Sequence, residues 1–419
     1  VRSFLVSALA LAGVTFPVPA FAQDAEEYAE DIPLFDVSAK WSGALLGVPG
    51  PAARFSDPDL ASGPRGASYA GEFFLTLEAL GVTDAGLEFG AVLEGRLGIN
   101  ELPAVSYTGG TTCSVDLACP AVAVGPRWQL EAGEDLALGH DRAFVFVRGG
   151  WGEAILGEDD GVADRLGERA PDLFEHAQKG SPDLDPFGVV GLRVANDFSN
   201  SAQKLSLTTP RLVGVMLGAS FTPKAENGAE YVVLPGRETL RDITEVVASF
   251  SHKFVSRADR SAGEGGIRVS ASYSYLQSDI EAGALQSHCA GVRLDADAWS
   301  VGAAARWGEA DQLALAGLGK SESDAWEVGA THALGAWTLG ASYGQGTDDI
   351  AQLDATSWRI SAARDLAQGV VFVAGWADDE VKGPWASEAP SPLVSVAQTT
   401  RSRAGLLFEL RFVAPLTTN

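Results

Sequence analysis

Beyond its N-terminal stretch, the 419-residue chain has no apolar run long enough to cross a bilayer as a helix. That excludes a helical inner-membrane protein but leaves a β-barrel open, because barrel strands show only alternation. Cysteine is scarce, and three in a chain of this length do not make a disulfide scaffold. Cys113 and Cys119 lie close together in a polar stretch and could form a local bridge or stay as two thiols; Cys289 is left over. The histidines His140, His176, His252, His288 and His332 are scattered, none with zinc-ligand spacing, so no metal site is expected from them. Basic residues are also few. Lys and Arg number 30 against 55 Asp and Glu, which argues against nucleic acid as a partner and suits a surface that meets divalent cations. The glycines at 263–266 open no strand-to-helix step, so they are not a phosphate loop. No Ser/His/Asp constellation can be assembled, so no catalytic residue is expected.

Arg2, the apolar stretch from Phe4 to Val14, and Ala20-Phe21-Ala22 have the layout of a secretory signal peptide. Pro17 and Pro19 argue against a first helix of a globular domain. Cleavage is expected after Ala22, which divides the chain into a signal peptide at 1–22 and a mature part at 23–419 of 419 − 22 = 397 residues. Only Arg2 is lost among charged residues, so the mature part carries 29 basic and 55 acidic groups, a net charge of −26.

No helical period runs for any length, whereas short alternating stretches abound. In 86–97, Leu87, Phe89, Ala91, Leu93 and Leu97 share one face, with Glu88, Glu94 and Arg96 on the other. In 266–277, Ile267, Val269, Ala271, Tyr273 and Tyr275 oppose Arg268, Ser270, Ser272 and Ser274. Trp299, Val301, Ala303, Ala305 and Trp307 alternate with Ser300, Gly302 and Arg306; Trp337, Leu339, Ala341 and Tyr343 alternate with Thr338, Gly340 and Ser342. Leu406, Phe408, Leu410 and Phe412 oppose Glu409 and Arg411. Apolar groups on one face and polar groups on the other fit a lipid-facing wall around a wet lumen. Trp299 and Trp307 lie eight positions apart on one face, roughly 26 Å at about 3.3 Å per residue. A tilt of about 40° makes this roughly 20 Å along the normal, close to the distance between the aromatic girdles of outer-membrane barrels. Trp299, Trp307, Trp337 and Tyr343 are the expected girdle.

Sixteen strands are expected, at 36–47, 69–81, 86–99, 141–148, 151–158, 202–209, 212–222, 243–254, 266–277, 297–308, 311–319, 324–333, 336–344, 354–364, 369–378 and 403–412. Their connections mostly alternate short and long, as periplasmic turns and external loops do. The face of Arg142 and Arg148 is ambiguous, because Phe144 and Phe146 compete with Val145 and Val147 for the outside.

AFVFVRGGWGEAILGEDDG at 143–161 resembles the hairpin that runs into the constriction loop of Gram-negative general porins of the alphaproteobacterial type. NSAQKLSLTTPRLVGVMLGASF at 200–221 resembles the hairpin that leaves that loop, and GLLFELRF at 405–412 resembles the closing strand. In their order and spacing the likeness covers nearly the whole mature chain. One departure is that family members end on an aromatic residue, whereas here Phe412 is followed by VAPLTTN. The resemblance implies an all-β transmembrane antiparallel barrel with an inward-folded long loop, acting as an outer-membrane diffusion channel for small hydrophilic solutes and ions. It also implies a homotrimer among outer-membrane lipid and lipopolysaccharide. The alternatives are a structural or adhesive barrel without an open pore, and a barrel enzyme.

The candidate constriction loop is 159–201, with Asp159, Asp160, Asp164, Glu168, Asp172, Glu175, Asp183 and Asp185 as its acidic side. Lys40, Arg96, Arg268, Arg306, Arg359 and Arg411 have lumen parity and form the expected basic wall. Charge pairs across a narrow aqueous gap orient polar solutes and filter ions, and the acidic excess predicts weak cation selectivity. Glu158, Asp159 and Asp160 could bind a cation such as calcium together with oxygens from elsewhere; no other cofactor is expected. By the same parity, Ala303→Arg should harm folding more than Gly302→Arg, which would enter the lumen.

Overall fold

A computed structural model describes residues 36–48, 68–100, 104–108, 127–131, 137–176, 192, 194–226, 239–255, 266–280, 283–314, 317–348, 353–384 and 398–416. The expected signal peptide at 1–22, Cys113, Cys119, Asp183 and Asp185 lie outside these residues. In chain order the strands are β1 (Asp36–Val48), β2 (Ser68–Val82), β3 (Glu88–Asn100), β4 (Ala104–Thr108), β5 (Arg127–Glu131), β6 (Ala137–Gly149), β7 (Gly152–Asp159), β8 (Ala202–Thr208) and β9 (Val215–Glu226). They continue as β10 (Thr239–Phe254), β11 (Ile267–Ile280), β12 (Gly283–Ala296), β13 (Trp299–Ala314), β14 (Gly317–Leu334), β15 (Trp337–Asp348), β16 (Leu353–Ala367), β17 (Val370–Pro384) and β18 (Gln398–Leu416).

Sixteen of these pair with their neighbours, all antiparallel, into a closed barrel in which β18 pairs with β1; β4 and β5 form a separate two-stranded sheet. Closure satisfies every strand edge, the condition a sheet must meet to stand in lipid. The pairing of β18 with β1 does not stop at Phe412 but runs on to Leu416, so part of the C-terminal extension belongs to the closing strand.

The alternation of the sequence maps directly onto the wall. Leu93, Tyr273, Val301, Leu339 and Leu406 are exposed on the outside, while Glu94, Ser272, Ser274, Arg306 and Glu409 are buried within. Trp299, Trp307, Trp337 and Tyr343 all stand exposed on the outer face. His332 stacks on Trp299 with ring centroids 4.1 Å apart, and Trp326 lies 5.4 Å from Tyr343. Arg142 and Arg148 face inward: Val145 and Val147 take the outer face, and Phe146 is buried beside Arg148.

The strand count agrees with the sequence pattern, but two strands do not. The segment 283–296, left as a connection by the pattern, is β12, and 311–319 is no strand of its own: 311–314 end β13 and 317–319 begin β14. One omission and one excess cancel. In β12 both faces are chemically mixed: Leu285 and Cys289 are buried on the inside, whereas Gln286 and His288 lie on the other face. The inner face is apolar there because polypeptide, not water, covers it. Phe198, from the long connection between β7 and β8, packs with Leu240, Ile243, Leu276, Ile280 and Leu285 in one cluster. Each such side chain gains about 1.5–3 kcal/mol on leaving water.

Candidate functional site

The connection after β7 does not leave the barrel mouth. It turns inward and lies along the inner wall, crossing strand after strand. A single helical turn, Val162–Arg165, is seated with Val162 and Ala163 buried. The rest of the described segment up to His176 has no regular structure, so its backbone N–H groups need acceptors. Three wall carboxylates supply them. Glu245 of β10 accepts from Ala163 N at 3.2 Å, Glu327 of β14 from Ala170 N at 3.1 Å, and Glu409 of β18 from Glu175 N and His176 N at 3.2 and 3.3 Å. Between them Ser272 accepts from Glu168 N at 2.7 Å, and Ser342 donates to Asp172 at 3.1 Å. Charged acceptors make these hydrogen bonds stronger than neutral ones.

Glycines clear the track. A Cβ added at Gly291 would lie 1.9 Å from the Glu168 carbonyl oxygen; at Gly329, 2.2 Å from that of Pro171; and at Gly340, 2.8 Å from the Leu173 side chain. Gly302 sits opposite Gly329 in the β13–β14 pair and faces the Pro171 ring. Gly302 thus faces the lumen side, as its parity implies, but the loop fills the space there, so an arginine at 302 would meet Pro171.

The return limb lies beside the outgoing one. Asn196 Nδ2 donates to Ser274 Oγ at 3.1 Å, and Asn196 Oδ1 accepts from Ser287 Oγ at 2.5 Å. Cys289 is a free thiol buried against the Val194 carbonyl, with Sγ 2.9 Å from the oxygen. Arg169 joins the two limbs, bonded to Asp164 and 3.7 Å from Asp197.

The sequence-predicted residues fall into distinct settings. Asp159 is buried at the loop root, 3.5 Å from Arg165 and 3.9 Å from Arg142. Asp160 accepts from Ser201 Oγ at 3.2 Å; burial and the Asp159 charge push its carboxyl above the usual range despite Arg142 and Lys204. Burial also raises Glu168, outweighing Arg293. Glu175 bonds Arg411 at 2.7 Å and has its side chain 65% exposed to the lumen. Glu158 belongs to the opposite face of β7 from Asp159, its pairing partner being Ala143, so Glu158, Asp159 and Asp160 do not converge on one cation.

On the basic side, Arg306 is buried with its guanidinium 5.8 Å from the Phe198 ring, and Arg359 is buried 6.0 Å from the Phe174 ring. The loop covers both. Arg268 is exposed near the start of β11. Lys40, Arg96 and Arg411 belong to the wall of β18, β1, β2 and β3. There the structure adds what sequence reasoning missed. Arg96 bonds Glu72, Arg142 bonds Glu94 at 3.0 Å, and Arg148 bonds Glu88. The wall is a ladder of arginine–glutamate pairs, not a basic stripe. The signal for Glu94 and Glu409 is their inner-face parity; Glu245 and Glu327 carry the same signal, each flanked in sequence by outward-facing residues.

The model of the Gram-negative porin family matches residues 8–384. No curated protein matches the chain by sequence. Among solved structures, the outer-membrane channel DcaP of Acinetobacter baumannii is 10% identical with a TM-score of 0.53, over 91% of this chain and 97% of that one. The anion-selective porin from Comamonas acidovorans is 12% identical with a TM-score of 0.51, over 91% and 99%. The trimer form of OmpT from Vibrio cholerae is 10% identical with a TM-score of 0.50, over 92% and 100%. With the family match spanning most of the chain, a closed sixteen-strand barrel and an inward loop, the chain belongs to the Gram-negative porins, the channels of the outer membrane.

Proposed function

We propose that this porin passes small hydrophilic solutes and ions by passive diffusion with weak cation selectivity, and that it works as a homotrimer set in outer-membrane lipid and lipopolysaccharide after loss of residues 1–22. No enzymatic role is assigned. The observation that carries the selectivity is the charge of the loop laid along the inner wall: residues 159–176 hold six carboxylates against Arg165 and Arg169, and Glu175 stands exposed to the lumen. Carboxylates in a narrow aqueous passage raise the local cation concentration. The arginines of the opposite wall are each paired with a glutamate, so they offset this field only in part. The Comamonas relative is anion-selective, so fold alone does not decide the sign. The trimer is carried over from OmpT.

The test is a reversal potential in planar bilayers under a salt gradient. Wild type should favour cations, less so as salt rises, since the Debye length falls from about 10 Å at 0.1 M to about 3 Å at 1 M. Asp159 and Asp160 are unsuitable for neutralisation because they anchor the loop root; Glu175→Gln, exposed in the lumen, should move the reversal potential toward anions. Glu380→Gln, on the exposed outer side of β17, should do less. Equal shifts, or none for Glu175→Gln, would refute control of selectivity by the loop.

A further inference from the structure

The outgoing limb reaches its far anchor at Glu175 and His176, where β18, β1 and β2 meet. His176 lies with Nδ1 3.5 Å from Glu72 Oε2, and its ring stacks on Phe74 with centroids 6.4 Å apart. Its backbone N–H and that of Glu175 are held by Glu409, whose side chain is fully buried. The surrounding charges come from every neighbouring element. β2 supplies Glu72, β3 supplies Arg96 bonded to Glu72, β18 supplies Glu409 and Arg411, and the loop supplies Glu175 bonded to Arg411. At this level β1 contributes Ala44, which pairs with Glu72 on one side and Arg411 on the other; its Lys40 lies four residues nearer the short-turn end. The anchor therefore sets three carboxylates, Glu72, Glu175 and Glu409, against two guanidiniums, Arg96 and Arg411. A third cation balances it, and His176 is the group in place to supply one.

We propose that His176, as its imidazolium, is the positioning residue that fastens the far end of the constriction loop to the barrel wall, and that loss of its proton loosens that end and alters the pore. The reason is electrostatic. Glu72 and Glu409 are buried, and removing a charge from beside a buried carboxylate leaves it under-compensated, which costs far more than the same loss in solvent. Burial by itself opposes the cation, but the hydrogen bond to Glu72 and the charges of Glu409, Glu72 and Glu175 outweigh it and hold the imidazole above its usual range. A group raised in the folded state contributes its full stabilisation below the ordinary value, about 6.5, and loses it as pH climbs through the raised one. The anchor is thus tight in mild acid and looser above neutrality. Its loop limb stays tied at Glu245 and Glu327, so only the far end is freed.

This rests on the loop lining the conducting path. The test is single-channel recording of the purified protein in planar bilayers across about pH 5 to 8, the interval in which histidine titrates, and somewhat above it. Wild type should conduct quietly at the acid end and show a rise in open-channel noise at higher pH, with a midpoint displaced above about 6.5. His176→Gln should show the noisy behaviour throughout, with loss of the pH dependence. His176→Lys, cationic across the range, should restore quiet conduction and hold it past the wild-type midpoint. Glu72→Gln should lower the midpoint, whereas His252→Gln, on the outer face, should leave it unchanged. A flat wild-type profile, a His176→Gln channel that titrates like wild type, or a His176→Lys channel that becomes noisy at the wild-type midpoint would each overturn the proposal. The wild-type profile decides even if a variant fails to fold. Protein that conducts without pH dependence removes the anchor and leaves the channel; protein that does not conduct removes the channel itself.

Discussion

Gly291→Ala tests whether the loop lies on the wall as tightly as the glycine track implies. The added Cβ would sit 1.9 Å from the Glu168 carbonyl oxygen and 2.7 Å from its carbon, both backbone atoms that no rotamer change can move. Ordinary contact begins at 3.4 Å, so the loop must retreat by at least 3.4 − 1.9 = 1.5 Å, and the space it retreats into is the lumen. The neighbouring bond from Glu168 N to Ser272 Oγ, now 2.7 Å, would stretch beyond bonding range. Its loss costs about 0.5–1.5 kcal/mol, and overpacking a filled site typically costs about 1–3 kcal/mol. Anchors at Glu245, Glu327 and Glu409 remain, so the loop should stay inside but nearer the axis. Single-channel conductance at fixed salt should fall in Gly291→Ala. Gly95→Ala, whose new methyl would meet nothing within 4 Å, should conduct like wild type. If folded Gly291→Ala conducts like wild type, or if both variants lose conductance equally, the loop is not packed on this wall.

Ala303→Arg should cost about 2–4 kcal/mol, because it puts a charge on the outer face near mid-strand; Ala298→Arg, in the turn before β13, should cost about 0–1, and folded fractions in lipid vesicles would show whether they differ. The Asp160 carboxyl is raised by burial and by Asp159, so its contribution to stability is greatest below about pH 3.9 and is lost as pH rises through the raised value. Asp160→Asn keeps the acceptor for Ser201 and should flatten this part of the pH profile, read as the urea midpoint in vesicles; an unchanged slope would contradict it. The Cys289 thiol, buried beneath the return limb, should resist alkylation in the folded barrel and react once the protein is unfolded in denaturant; prompt labelling of folded protein would show that the limb does not cover β12.

How far the sequence could be read depended on which medium each face of a strand meets. Where one face meets lipid and the other meets water, as at Leu93 and Glu94 or Val301 and Ser300, strict alternation marks the strand and its parity. Where the inner face meets the protein's own loop, the contrast fails, and β12 disappeared from the pattern because Leu285 and Cys289 lie under polypeptide. Phe144 and Phe146 were ambiguous for the same reason: an aromatic residue can face inward when an arginine or a neighbouring side chain covers it.

The sequence by itself determined the barrel, the facing of strands that meet lipid on one side and water on the other, and the place where the long loop departs. These follow from local chemistry repeated at a period of two. It also marked Asp164, Glu168, Asp172 and Glu175 as loop carboxylates and Lys40, Arg96 and Arg411 as lumen residues, because charge is excluded from the lipid side. Only the tertiary structure decided which charges meet. Glu72 finds Arg96 and His176, Glu409 finds the loop backbone 233 residues away in sequence, and Arg306 and Arg359 are covered by phenylalanines of the loop. The physical reason is that a carboxylate or guanidinium in a lumen has the same local signature whether it faces water, a partner or a backbone N–H. Which of these it meets is set by the path of one loop through the barrel, and that path is laid down by glycines and carboxylates on strands far apart in the chain.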